Sequence, residues 1–187
     1  MSWQVSTLAG QQGPKPSSYS YFLAQGTSVA DGNSSVATFL YPCGLAASSD
    51  GAFLYVADSY SNLIRAVNLA TGVVDTVAGT RSASFADGTG TAASFAAPTD
   101  VAISRDDEVL FVSDLGNHRV RSINIATRAV RTVAGSADGA FGWTPIFYLN
   151  GTDNSCKNPV GGGMAPCKDI DGTGTDATFQ RESLWSE

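Results

Sequence analysis

The feature that most constrains this chain is that it says nearly the same thing twice, and begins a third time. Residues 31–80 align without a gap on residues 87–136 at an offset of 56 residues, and 20 of these 50 positions are identical. Asp171-Gly-Thr-Gly-Thr then repeats Asp87-Gly-Thr-Gly-Thr. A unit of this size cannot bury its own hydrophobic face, so the sequence predicts stacked copies sharing cores across their boundaries.

The second copy shows what one unit holds. Val101–Ile103, Val109–Val112, Val120–Ile125 and Val130–Gly135 are short apolar or alternating runs, separated by Asp106-Asp107, Leu115-Gly116-Asn117 and Ala126-Thr127-Arg128. These read as four short strands joined by tight turns, with no helical stripe of useful length. The expectation is an all-β chain built of four-stranded antiparallel β-propeller blades. Blades are expected over 43–79 and 99–135, with 5–10 as the outer strand of a preceding blade and 171–187 as part of a next repeat. A ring needs four to eight blades. This chain holds an incomplete ring of about two and a half repeats, and it is expected to be a segment of a larger protein.

These residues resemble the NHL-repeat family. The second copy reads Leu110-Phe-Val-Ser-Asp114-Leu-Gly-Asn117-His118-Arg119-Val120-Arg121, close to the family's Asp-x-x-Asn-His-Arg-Ile pattern. The first copy, Leu54 to Arg65, keeps the Asp, the apolar residue and the Arg, but has Ser61 and Asn62 at the Asn and His positions. The Phe39-x-x-Pro42-x-Gly44 and Val74–Gly79 segments also look like this family. The resemblance covers about two-thirds of the chain. It implies the fold and leaves function open, because propellers host many unrelated activities.

The repeat is broken in one kind of place. Gly79 to Asp87 is 8 residues, whereas Gly10 to Asp31 is 21 and Gly135 to Asp171 is 36. Insertions at 11–30 and 136–170 thus occupy the same connection, and topology predicts that both leave the same face. They carry Tyr19, Tyr21 and Phe22, and Phe141, Trp143, Phe147 and Tyr148. Aromatic-rich loops of this length pack on something, either their own propeller face or another chain or glycan.

Charge and cysteine usage suggest the setting. Net charge is −6, against a nucleic-acid partner, which needs a basic face. No apolar run approaches the length of a membrane span. Cys156 and Cys167 lie in one irregular segment and suit a local disulfide, while Cys43 is expected either as a buried thiol or bridged to an insertion. Asn33-Ser-Ser and Asn150-Gly-Thr are glycosylation sequons, with Asn154-Ser-Cys a less specific third. Together these point to an extracellular or cell-surface chain bearing N-linked glycans.

Little in the sequence looks catalytic. His118 is the only histidine, and it sits in the repeat's turn. Asp58 with Arg65, and Asp114 with Arg121 or Arg119, are expected to fix that turn. Asp169, Asp171 and Asp176 have a calcium-like composition without the spacing of an EF-hand, and Asp31-Gly32 and Asp87-Gly88 recur as a blade-to-blade turn. No cofactor is expected beyond that calcium candidate. The leading expectation is a non-catalytic module contacting other protein chains, further copies of itself, or glycans in a surface or matrix assembly. The alternative is a propeller-type hydrolase or lyase whose site is completed by blades missing from this chain.

Overall fold

A computed structural model describes residues 4–11 and 29–135. Within them lie two antiparallel sheets and no α-helix. Strands β1 (Pro42–Ala47), β2 (Phe53–Asp58), β3 (Leu63–Asn68) and β4 (Val74–Ala78) form the first sheet in sequential order. The second sheet runs β6 (Pro98–Ile103), β7 (Val109–Asp114), β8 (Arg119–Asn124) and β9 (Ala129–Ala134), and adds β5 (Gly88–Thr89) on the outer edge of β9. The chain is therefore all-β, with two propeller blades of matching register: Phe53 lies opposite Asn68 as Val109 lies opposite Asn124.

Each turn is set by the same backbone chemistry in both copies. A 3-10 turn joins β2 to β3 (Ser59–Ser61) and β7 to β8 (Leu115–Asn117). Each ends on a left-handed residue, Asn62 (φ 57) or His118 (φ 53). Asn and His tolerate that conformation better than most side chains. At the other end of the blades, Ser48 caps Asp50 and Ser104 caps Asp106 in tight turns. The hydroxyls hold both exposed Asp carboxyls below the usual carboxylate range.

The Asp-Gly signal departs from expectation. Rather than a turn alone, Gly32 bridges Val74 and Gly88–Thr89 pairs with β9, so each repeat's lead-in adds a short segment to its own outer strand. Residues 5–10 depart as well. They form no strand; Gly10 N–H donates to Ser34 and Gln11 N–H to Ala37.

The main core lies between the blades. Tyr55, Ala57, Ile64 and Val77 of the first meet Val101, Leu110, Val112 and Ile123 of the second, with Phe95 of the lead-in buried among them. A smaller cluster of Ala37, Val56, Val67 and Val74 covers the first blade's other face. The blades also touch at Gly44, where a Cβ would clash with Asp100, and at Asp107, which accepts from Ser49 N–H at 2.9 Å.

Candidate functional site

The deepest polar feature is a buried arginine in each blade. Arg65 and Arg121 occupy equivalent positions, each beside a register break in the ladder, and both side chains are fully buried. A bulge of this kind re-aims a side chain, here into the blade. Arg65 meets Asp58 at 3.2 Å and Asp31 at 2.7 Å. Arg121 meets Asp114 at 2.8 Å and Asp87 at 2.7 Å. Arg65 also donates to the carbonyls of Thr38 and Ala30, and Arg121 to those of Ser94 and Ala86. The free oxygen of each buried Asp accepts the N–H of Leu40 (2.7 Å) or Ala96 (2.8 Å). One guanidinium thus ties the lead-in at two carbonyls and one carboxylate to the end of the second strand. Burial pushes the Asp58 and Asp114 carboxyls above their ordinary range, despite the bonds from Ser61, Leu40, Ala96, Asn117 and the arginines that pull the other way.

The choice left open between Arg119 and Arg121 is resolved by this geometry. Arg121 takes Asp114, whereas Arg119 lies 3.8 Å over the Phe85 ring and donates to the Asn117 carbonyl. Burial and the neighbouring Arg121 charge hold its pKa below the usual arginine value. His118 caps its turn by backbone, donating to Leu115 at 3.1 Å. Among the described residues no group of His, Cys, Asp and Glu is arranged to hold a metal. Asp31 and Asp87, read from the sequence only as turn residues, are the third members of the ion networks. The available signal was that Asp, Arg and Thr recur together at the same spacing: Thr76 Oγ1 donates to Asp31, and Thr132 Oγ1 to Asp87.

Two exposed aromatic groups stand at the end of the blades carrying the 3-10 turns. Tyr41 and Tyr60 pair there with ring centroids 4.7 Å apart, and Tyr41 is 55% exposed. The equivalent positions in the second blade are Ala97 and Gly116, so the aromatic pair belongs to the first blade alone. Phe85, 45% exposed, forms the stack with Arg119 on the second. Gly79 and Gly135, from which the connections depart, pack against the carbonyls of Asn62 and His118 at this same end. Arg81 donates to the carbonyl of Val29, where the first insertion re-enters the fold.

One expectation is corrected. Cys43 is exposed and unbridged, not buried, because it lies on the exposed part of inner strand β1. Burial raises the thiol pKa, outweighing the lowering by Ser59. Asn33 is exposed but sits at the outer rim, next to Ser34, which packs against Gly72 in the β3–β4 turn. Its side-chain oxygen accepts from Ser35 Oγ at 2.7 Å. Tyr19, Tyr21, Phe22, Phe141, Trp143, Phe147, Tyr148, Asn150, Asn154, Cys156, Cys167, Asp169, Asp171 and Asp176 lie outside the described residues.

Two twisted four-stranded blades sharing a core across their gap define the propeller class. The repeat also has curated relatives. NHL repeat-containing protein 2 of Bos taurus is 33% identical over 101 residues, covering 54% of this chain and 14% of that protein. The Homo sapiens protein of the same name is 32% identical over 106 residues, with the same shares. The blades are similar to the repeats of these NHL repeat-containing proteins, and the chain spans only 14% of their length. No protein-family model matches the chain. Solved structures of similar shape include a protein of unknown function from Bacteroides thetaiotaomicron (27% identity, 58% of this chain and 25% of that chain, TM-score 0.43). Another is an auxiliary nutrient binding protein from Bacteroides ovatus (21% identity, 55% and 27%, TM-score 0.46).

Proposed function

We propose that this chain is a non-catalytic interaction module of an extracellular NHL propeller, binding another protein chain through the end from which its two insertions leave. The observation that supports this most is the division of polar groups. The buried Asp–Arg–Asp networks hold the lead-ins, while two exposed aromatic groups, Tyr41 with Tyr60 and Phe85 with Arg119, stand at the insertion end. Rigid aromatics and arginine are the usual anchors of protein interfaces. The insertions bring further aromatics to the same connections. The sequons and the Cys156–Cys167 pair favour an oxidising, glycosylating compartment, and Asn33 stands exposed at the rim where a glycan would not block the insertion end.

The test is sedimentation velocity on the full chain from native material. Association is expected to weaken at least tenfold in the Trp143→Ala/Phe147→Ala double variant, while circular dichroism of the blades stays unchanged; an unfolded variant whose association is unaltered would make those aromatics core caps. In the same material, peptide masses showing Asn33 and Asn150 both unmodified would count against secretion.

A further inference from the structure

The second blade carries a face that the repeat itself says should be covered. Phe111 and Val133 are 41% and 43% exposed. Their equivalents in the first blade, Tyr55 and Val77, are each 5% exposed, sealed in the core that includes Ala93 and Phe95 of the next lead-in. The seal is made in the same way at both described boundaries. Gly10 N–H donates to the Ser34 carbonyl at 3.2 Å, and Gly79 N–H to the Gly90 carbonyl at 3.2 Å. Ser34 and Gly90 each stand three places after the Asp of their own lead-in. The bond forms whether 21 or 8 residues separate the glycine from that Asp, so it does not depend on connection length. All three repeat-ending glycines share one conformation, with φ of 106, 113 and 97 at Gly10, Gly79 and Gly135.

We propose that residues 171–180 of this chain, outside the described part, cover that face. They repeat the lead-in position for position: Asp171 for Asp87, Gly174 for Gly90, Ala177 for Ala93 and Phe179 for Phe95. Gly135 N–H then donates to the Gly174 carbonyl, and Phe179 closes over Val133 and Phe111. The occupant is intramolecular, held by a connection of 36 residues, so it outcompetes a free partner by effective concentration. The inference is independent of the secreted, interacting role proposed above.

Hydrogen exchange followed by NMR on the full chain tests it. The Gly135 amide is expected to be protected, and Phe179→Asp should speed its exchange at least tenfold while the central amides of β7 keep theirs. A peptide of residues 169–182, added to the F179D chain, should restore the protection saturably. In the unaltered chain, nuclear Overhauser contacts should join the Phe179 ring to the Val120 or Val133 methyls, a measurement that does not depend on the variant folding. Equal exchange at Gly135 in both chains overturns the proposal, as does failure of the peptide. Protection that appears only as protein concentration rises would assign the face to a second copy instead.

Discussion

At the scale of single residues, the two buried arginines carry more of the architecture than any other side chain. Removing one partner of a buried ion pair leaves the other charge stranded, which costs about 3–5 kcal/mol. Arg121→Met should therefore destabilise the chain by about that much at pH 7, read as a shift in the urea unfolding midpoint. The pH dependence has a definite sign. Burial already raises the Asp114 carboxyl, and losing Arg121 removes a charge that opposed it. A carboxyl whose folded pKa lies above its unfolded value binds more protons in the native state, so its contribution is largest in acid and is lost as pH rises through the window between the two values. The variant is thus expected to be relatively more stable at pH 4 than at pH 7. A deficit that stays constant across that range would show that Asp114 keeps its charge without Arg121.

Elements are where sequence and structure agree most closely, and where they part for visible reasons. Alternation and turn residues located the strands of both blades, because those signals are local. The Asp58–Arg65 pair was also legible, and Asp114 was narrowed to Arg119 or Arg121, of which the one seven residues on, as in the first repeat, is its partner. Asp31 and Asp87 were not, since their partners lie 34 residues on and the Asp-Gly pair looks like a turn by itself. The rim position of Asn33 depends on how its lead-in lies on the blade, and the exposure of Cys43 on what covers β1, which no local pattern reports. Gly44 shows the same limit: its counterpart by repeat is Asp100, so the repeat alone suggests that a side chain is tolerated there. The structure shows the reverse, because Asp100 itself occupies the space beside Gly44, with Thr99 O 2.9 Å from where a Cβ would stand. Gly44→Val should force β1 away from β6 and cost roughly 1–3 kcal/mol, as overpacking does. Loss of the Ser49–Asp107 contact in exchange or chemical-shift data would locate the damage at the blade gap; an unchanged melting temperature would mean the strands yield freely.

For the molecule as a whole, the location of the larger core decides how it unfolds. That core is not inside a blade but between two, with Tyr55, Ile64 and Val77 on one side and Leu110, Val112 and Ile123 on the other. Neither blade keeps its apolar face covered once the other opens, so the pair should behave as one cooperative unit, although repeat proteins in general can open unit by unit. Ile64→Ala makes the comparison clean. Ile64 is fully buried, and deleting its side chain should cost about 2–5 kcal/mol, the upper end applying if the gap cannot collapse. In a cooperative pair, the amides of β7 and β8 lose protection by the same free energy as those of β2 and β3, although the substitution lies in the first blade. Val67→Ala, in the smaller cluster on the first blade's far side, sets the contrast. It removes less and does not touch the gap, so any sub-global opening it permits should spare β8. Amides of β8 that keep full protection in the Ile64→Ala chain would mean that the blades fold as independent units and that the gap core is a docking surface between them.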